Sequence, residues 1–395
     1  MEIAILTSGI LPVPATQGGA VEALIDHYIN RNALTGEHEF TVFSVAPPTG
    51  TPRPTLPHTS YVHVPTATPW ARMRRKLRAW LSAPGFYNYF INDFYLTCRQ
   101  RLLRRRWDAI VLENRPGYAI DLRRHYDGPI ILHQHLDSVN ADTPRGDDIC
   151  RALTHAIGVS DYICRRMAQV GTPLPTTTVY NGIDTERFAR AATARRSDFG
   201  LLPGDFVVAY CGRIDPIKGV AELIDAMVQL RDMGNLHLLV VGGSFYGNAA
   251  GCDTPFIEAL KTAAKPIRER IHFTGFVPYE RVPSLLKMAD LAVMPSTCQE
   301  AFQLTVVEAM AAGVPVVATR SGGVPEICEG VACIVDQGEH LAQRLAKAIA
   351  FLAADPQERR AMSARGLMRA QRFAHTAYAD AFLHALTSIL RPKTK

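Results

Sequence analysis

The fold class is decided by the stretch IHFTGFVPYERVPSLLKMADLAVMPSTCQEAFQLTVVEAMAAGVPVVAT, which covers residues 271–319. Short apolar runs alternate in it with segments of helical periodicity, in the order 271–277 (strand), 280–289 (helix), 290–296 (strand), 305–313 (helix) and 314–319 (strand). Such short, continuously apolar strands are typical of parallel sheets that are covered by helices on both faces. The stretch therefore predicts an α/β fold made of βαβ units.

The alternation continues on both sides of this stretch, with further short strands predicted at 2–8, 39–45, 108–114, 128–135, 176–180 and 206–214. A single core rarely grows beyond about 250–300 residues, so the 395 residues are expected to form two doubly wound domains. We place them at 1–184, joined by a C-terminal helix at about 376–395, and at 185–375. The polar segment 190–205 is predicted to be a linker without regular structure, and the tail 355–390 to be helical throughout.

The amino-acid composition indicates which broad class of protein the chain belongs to. Hydrophobic residues make up 47% and charged residues 20%, which is ordinary for a globular chain, and the net charge of +6 is mild. We find no run of about 20 apolar residues that could span a bilayer, and the N-terminus lacks the basic start of a signal peptide. The eight cysteines are scattered without a C-x-x-C pair. These features favour a cytoplasmic protein with reduced thiols.

Two charged residues follow one of the predicted C-terminal strands. Their position matters because ligands of open α/β sheets bind outside the carboxyl ends of the strands. Arg213 and Lys218 stand just before a helix that Gly219 opens. Two cations beside a helix N-terminus suit a diphosphate, because a guanidinium clamps two oxygens and an ammonium adds a point charge. Solvated surface cations are the alternative, and we favour the anion site.

Two glutamates follow the next C-terminal strand. Pro295 should end that strand, which leaves Glu300 in a loop before a helix that begins around Thr305. Thr305 and Glu308 match the capping box S/T-x-x-E, so Glu308 has a structural explanation as well as a functional one. Glu300 has no such structural explanation, and its carboxylate could accept hydrogen bonds from the hydroxyls of a sugar.

A glycine pair follows each of two predicted strands. The first is Gly18-Gly19, and the second lies in the segment SGGVPE (321–326). Backbone amides there could approach a phosphate or a sugar, but an ordinary glycine turn is equally compatible with each pair. The first pair is not a G-x-G-x-x-G motif, which weighs against a dinucleotide-binding domain.

Two histidines, His133 and His135, share one face of a predicted strand because they are two residues apart. A metal pair is possible, although no third ligand is visible nearby, and a core position is equally compatible with His133. His135 lies nearer the end of the strand and is the better candidate for a ligand site.

Several segments in a fixed order carry a resemblance to a known family: VYNGIDTERF (179–188), GRIDPIKG (212–219), LLVVGG (238–243), the stretch 271–319 and GGVPEI (322–327). Together they resemble the retaining glycosyltransferases of the GT-B fold known as glycosyltransferase family 4. The first half is similar more loosely, through QGGAVE (17–22), HQHLD (133–137) and GVSDYI (158–163).

The resemblance implies two facing Rossmann-like domains with a nucleotide-sugar cleft between them. It implies retaining transfer of a sugar from a nucleotide diphosphate sugar, UDP being favoured over GDP and ADP, to a hydroxyl of a saccharide, lipid-linked or other small acceptor. Cell-surface polysaccharide or glycoconjugate synthesis is the expected setting, with no cofactor and no metal required. A nucleotide-sugar epimerase on the same fold and a catalytically degenerate GT-B binding protein are the alternatives.

Roles for individual residues follow from the same resemblance. Arg213 and Lys218 would hold the diphosphate, Glu308 the ribose and Glu300 the transferred sugar, and the implied catalytic set is His135, Glu300, Arg213 and Lys218. The implied donor-binding set further contains Gly18, Gly19, Phe276, Val277, Phe302, Gln303, Leu304, Thr305 and Glu308. Gln303 departs from the family, which commonly has glycine there, so the choice of sugar is open at this position.

A basic segment that is rich in aromatic residues, 70–106, lies in the predicted acceptor-side domain. It suits peripheral contact with an anionic membrane surface or with a lipid-linked acceptor. Basic helix faces over a core are an equally good interpretation. Nucleic acid is disfavoured because the rest of the chain is not basic.

Overall fold

The computed structural model describes residues 1–51, 55–65, 73, 93–244 and 254–391. Its chain divides into two compact units, here called unit 1 (Met1–Asn181 with His375–Lys395) and unit 2 (Gly182–Ala374). Each unit has its own parallel sheet.

The strands in chain order are β1 (Glu2–Leu6), β2 (Glu39–Val45), β3 (Thr59–Val64), β4 (Ala109–Glu113), β5 (Ile130–Gln134), β6 (His155–Gly158), β7 (Thr176–Thr178), β8 (Phe206–Cys211), β9 (Leu236–Val241), β10 (Ile271–Gly275), β11 (Leu291–Met294), β12 (Val316–Thr319) and β13 (Cys333–Val335). The helices are α1 (Ala20–Thr35), α2 (Asp93–Leu102), α3 (Gly117–Leu122), α4 (Gly146–Ala152), α5 (Asp161–Ala168), α6 (Thr185–Arg190), α7 (Val220–Gln229), α8 (Pro255–Ala263), α9 (Val282–Met288), α10 (Leu304–Ala311), α11 (Val324–Cys328), α12 (Leu341–Ala354), α13 (Pro356–Ala370) and α14 (His375–Leu390).

Unit 1 is a seven-stranded parallel sheet in the order β3-β2-β1-β4-β5-β6-β7. The strand order reverses between β1 and β4, which makes the carboxyl edge there the usual place for a ligand. On one face α1 and α14 cover the sheet, and the ring of Tyr28 stacks on that of Phe382 at 4.2 Å. Glu113, the last residue of β4, pairs in register with His133 of β5.

Unit 2 is a six-stranded parallel sheet in the order β10-β9-β8-β11-β12-β13, and its order reverses between β8 and β11. Its strands are almost wholly buried and apolar, and α7 and α12 pack into the same core cluster. The α/β class and the two Rossmann-like sheets are as the sequence predicted. The reversal point places the loops after β8 and β11 side by side.

Two sequence predictions about local structure are wrong. Segment 190–205 is not a structureless linker, because it contains a 3₁₀ turn at Arg196–Phe199 and a buried Leu201. Arg196 ties this segment to the rest of unit 2 by donating to the carboxylate of Asp290 at 2.8 Å. The tail is not helical throughout, since a 3₁₀ turn at Gln371–Phe373 and an extended Ala374 separate α13 from α14.

Most of the basic segment 70–106 lies outside the described residues, which include only Met73 and the part from Asp93 onward. In the described part, Phe94 and Tyr95 are buried in unit 1, and Arg99 pairs with Asp121 at 2.6 Å. Membrane contact through this segment therefore stays a prediction. Among the described residues no helix has both the length and the apolar character needed to cross a bilayer.

Candidate functional site

An ion pair joins the loops after β8 and β11 of unit 2. The ammonium Nζ of Lys218 donates to Oε1 of Glu300 at 2.6 Å, and the two side chains are only 23% and 12% exposed. The sequence predicted both residues as site residues, and the structure brings them into direct contact.

Glycine at 219 allows the two loops to approach this closely. Gly219 has φ 72°, and a Cβ atom there would lie 1.9 Å from the carbonyl oxygen of Pro295. The amide of Thr297 donates to the carbonyl of Ile217 at 3.0 Å, which ties the second loop to the first. Asp215 caps the short 3₁₀ turn that carries Lys218. A side chain at 219 would therefore push Lys218 away from Glu300.

The carboxylate of Glu300 has further partners in its own loop. Ser296 donates its hydroxyl to Oε1 of Glu300 at 2.5 Å, and Gln303 donates its amide to the oxygen of Ser296 at 3.1 Å. The prediction that Glu300 lacks a structural role is thus wrong, because its Oε1 accepts the last hydrogen bond of the buried series that runs from Gln303 through Ser296. Oε1 of Gln303 is buried and has no hydrogen-bond partner among the described residues.

The backbone of Glu300 is held by the turn that follows β12. Its amide donates to Oγ of Ser321 at 2.9 Å, and its carbonyl accepts from the amide of Gly323 at 2.8 Å. Gly322 has φ 48°, and a Cβ atom there would lie 2.1 Å from that carbonyl oxygen. The glycine pair at 321–326 therefore does more than make a turn, because it fixes the loop that carries Glu300.

Glu308 is not part of a capping box, contrary to the sequence prediction. Helix α10 begins at Leu304 with Gln303 as its N-cap, so Thr305 is already helical and its hydroxyl is not at a capping position. The carboxylate of Glu308 instead accepts from the hydroxyl of Tyr279 at 2.9 Å. Burial raises the pKa of Glu308 to about 7, against the hydrogen bond from Tyr279, which lowers it.

Tyr279 is a candidate site residue that sequence reasoning missed. It follows the loop of Phe276 and Val277 at the carboxyl end of β10, and the ring of Phe276 is 45% exposed. The guanidinium of Arg187 lies 5.5 Å from the centre of the Tyr279 ring. Its position beside Phe276 and Val277, which the resemblance placed in the donor-binding set, was the available signal. The structure adds the contact with Glu308, 29 residues away.

Arg213 stands in the same loop as Lys218 and is also paired with a carboxylate. Its guanidinium lies 3.4 Å from Asp215, and the side chain is 39% exposed. The hydroxyl of the buried Tyr210 donates to the carbonyl of Arg213 at 2.6 Å and so fixes the backbone there. Both cations are therefore held near the start of α7 while keeping part of their surface open to a ligand.

In unit 1, the Gly18-Gly19 pair precedes α1 with φ values of 77° and 102°. Space beside Gly18 is open, whereas a Cβ atom on Gly19 would lie 2.2 Å from the carboxylate of Glu22. Burial raises the pKa of Glu22 to about 7. A positive φ at both positions explains why glycine is required here.

His135 lies at the carboxyl end of β5, also in unit 1, and its side chain is only 4% exposed. It shares a buried cluster with His133 and Glu113, whose potential ligand atoms all lie within 4.8 Å of one another. A third potential ligand is therefore present, and the expectation that none is nearby is wrong. Sequence reasoning missed Glu113 because it sits on the neighbouring strand, opposite His133 in register.

The comparisons with known proteins agree with this architecture. Residues 193–368 match the family model of glycosyl transferases group 1. The chain is 25% identical to the spore coat protein SA of Bacillus subtilis over 83% of each chain. It is also 25% identical to the putative glycosyltransferase YtcC of that organism, over 100% of this chain and 94% of that one. The crystal structure of Anabaena Alr3699/HepE in complex with UDP-glucose superposes with a TM-score of 0.73 at 20% identity, over 98% of this chain and 100% of that one.

Proposed function

We propose that this chain is a glycosyltransferase that transfers a sugar, with retention of configuration, from a UDP-sugar to a hydroxyl group, and that the part of unit 2 matched by the group 1 model binds the donor. The acceptor in this proposal is a saccharide or a lipid-linked saccharide of a cell-surface polysaccharide or glycoconjugate. The observation that carries the proposal is the half-buried contact of Lys218 with Glu300 where the strand order of unit 2 reverses.

A cationic site is needed because departure of the diphosphate places negative charge on its oxygens in the transition state. Lys218 and Arg213 stand at the start of α7, where the helix dipole adds to their charge. Each cation is balanced by a carboxylate in the free protein, Glu300 for Lys218 and Asp215 for Arg213. These charges are fixed before the ligand arrives, which is the arrangement that stabilises a developing charge with little reorganisation.

Glu300 is suited to positioning the transferred sugar and poorly suited to attacking it. Its Oε1 accepts from both Lys218 and Ser296, which lowers the nucleophilicity of that oxygen. The other oxygen can accept from a sugar hydroxyl. This supports same-face attack by the acceptor, with a phosphate oxygen of the leaving group taking the acceptor's proton.

Glu308 is suited to the ribose of the donor. The residue is 5% exposed, and its carboxylate accepts from Tyr279, which follows the loop of Phe276 and Val277 that would contact the base. Two ribose hydroxyls can donate to one carboxylate, which would also offset the cost of burying its charge. The UDP-glucose held by Alr3699/HepE, a protein of the same fold, supports UDP as the nucleotide to test first.

A panel of nucleotide sugars tests the proposal, scored by thermal shift and by transfer to a saccharide acceptor. A UDP-sugar is expected to raise the melting temperature, since a ligand that binds only the folded state stabilises it. Lys218→Ala should reduce both the shift and the rate of transfer, whereas Lys347→Ala, which removes an exposed lysine of α12, should change neither. Normal transfer by Lys218→Ala would overturn the proposed site, and a shift with NAD alone would overturn the proposed class of donor.

A further inference from the structure

A buried carboxylate with three donors lies at the carboxyl edge of the unit 1 sheet. Oε1 of Glu113 accepts from the hydroxyl of Tyr28 at 3.0 Å, and the ring nitrogen Nδ1 of His133 lies 3.1 Å from Oε2. Nε2 of His135 contacts Oε2 of Glu113 at 2.8 Å. Glu113 and His133 are fully buried, so no water is available to satisfy the carboxylate.

The charges of the cluster follow from these contacts. Burial opposes the charge of Glu113, but the two histidines outweigh it and hold the pKa of this carboxyl below its usual value. Burial and the neighbouring His133 lower the pKa of His135 to about 4, against the attraction of Glu113. His135 is therefore a neutral imidazole at pH 7, and a carboxylate that only accepts requires its proton on Nε2.

The remaining ring nitrogens decide between a hydrogen-bonded cluster and a metal site. Nε2 of His133 and Nδ1 of His135 are buried without a partner among the described residues. A histidine that binds a metal almost always donates its other N–H to an acceptor. If a metal bound the ring nitrogens that face Glu113, the two other ring nitrogens would carry the protons and would be buried donors without acceptors. In a hydrogen-bonded cluster, those two nitrogens can instead be unprotonated. The orphaned nitrogens therefore argue for the cluster.

We propose that Glu113 is a positioning residue that holds His135, a member of the catalytic set that the sequence resemblance implies, as the Nε2–H tautomer and leaves the buried Nδ1 unprotonated. Tyr28 of α1 supports Glu113 from the helix side, and Tyr378 and Phe382 of α14 pack over His133. Glu22 and Asp26 are the other acidic groups of α1 near this cluster. The part of the inference that concerns catalysis rests on the proposed function; the tautomer does not.

Nitrogen-15 NMR of the full chain labelled at histidine tests the tautomer directly, with His135 assigned through His135→Gln. The expected spectrum has a protonated Nε2 and an unprotonated Nδ1 on His135 from pH 6 to 8. In Glu113→Gln the side-chain amide can donate to one ring, so one histidine should change tautomer. A protonated Nδ1 on His135 in the unaltered protein would overturn the inference, and so would one bound metal ion per chain that Glu113→Gln removes.

Kinetics separate this inference from the proposed function. Glu113→Gln should lower kcat by about 10-fold or more, because a carboxylate-to-amide change can put a catalytic histidine in the wrong tautomer. Its KM for the UDP-sugar should stay unchanged, because the donor contacts argued in the proposed function lie in unit 2. Glu37→Gln, the same change at an exposed position after α1, is the matched control. An unchanged kcat in Glu113→Gln would overturn the positioning role even if donor binding and transfer are as proposed.

Discussion

The two sheets of this molecule use the same edge in different ways. At the carboxyl edge of the unit 2 sheet, Lys218 and Glu300 sit in loops, pair with each other and stay partly exposed. At the carboxyl edge of the unit 1 sheet, Glu113 and His133 sit inside strands and are fully buried, with a phenol and two imidazoles around the carboxylate. Charges on loops can exchange partners with a ligand, whereas charges inside strands can only hold their neighbours in place.

The largest expected effect is on transfer when the unit 2 pair is broken. Lys218→Ala should lower kcat by about 100- to 1,000-fold, the range for removing one group that stabilises a developing charge. Glu300→Ala should lower it as well, through loss of sugar positioning. Initial rates with a UDP-sugar and its acceptor measure both. If kcat falls by less than threefold in both variants, the carboxyl edge of the unit 2 sheet does not carry the catalytic residues proposed for it.

Stability should show the opposite order. Glu113→Ala leaves two buried histidines and Tyr28 without their acceptor, and we expect it to lower the free energy of unfolding by about 3–5 kcal/mol. Lys218→Ala breaks a partly exposed pair and should cost about 1 kcal/mol or less. Urea unfolding of the two variants beside the unaltered chain gives both values. Equal losses would mean that both carboxylates serve mainly to hold the fold.

The pH dependence of donor binding follows from Glu308, whose pKa burial raises to about 7. Ribose hydroxyls donate to the ionised carboxylate, so the affinity for the donor should be highest well above pH 7, where Glu308 is fully charged. As the pH falls below 7, the affinity for UDP-glucose should decrease, by up to about tenfold per pH unit. Isothermal titration calorimetry from pH 5.5 to 8.5 measures it. Glu308→Gln should bind weakly without this dependence; the same dependence in that variant would assign it to another group.

Gln303 is expected to have a smaller effect, on the choice of sugar. Its unpaired Oε1 can accept from one sugar hydroxyl, and its amide connects through Ser296 to Glu300. Gln303→Gly should change the ratio of kcat/KM between two epimeric UDP-sugars by about 10-fold or more, as for one hydrogen bond to substrate. Equal losses for every sugar would show that Gln303 only supports the loop.

The sequence was sufficient for the fold class, because it depends on patterns within short segments, whereas the functional roles of the loop residues stay predictions. The alternation in 271–319 is such a pattern, and the structure has β10, β11 and β12 there with α9 and α10 between them. One local motif gave a wrong prediction, because the helix begins one residue earlier than expected. Thr305 and Glu308 have capping-box spacing, yet Gln303 is the N-cap of α10.

Contacts between distant segments were beyond the sequence. Glu113 meets His133 only because β4 and β5 pair in this register, and Tyr279 meets Glu308 across 29 residues. The partner of Glu300 is 82 residues away. A single sequence predicts that such residues lie at the same edge of a sheet, but it does not predict which atoms meet.

Calorimetry with two ligands distinguishes the proposed role of Lys218, which binds the diphosphate, from that of Glu300, which binds the sugar. At pH 8, Lys218→Ala should weaken both UDP and UDP-glucose by about 10-fold or more, the loss of one charge-assisted contact. Glu300→Ala should weaken UDP-glucose but leave UDP unchanged or bound more tightly, since it removes a negative charge beside the diphosphate. Lys347→Ala should bind both ligands as the unaltered chain does. Equal weakening of UDP and UDP-glucose in Glu300→Ala, or unchanged binding of both in Lys218→Ala, would contradict the account.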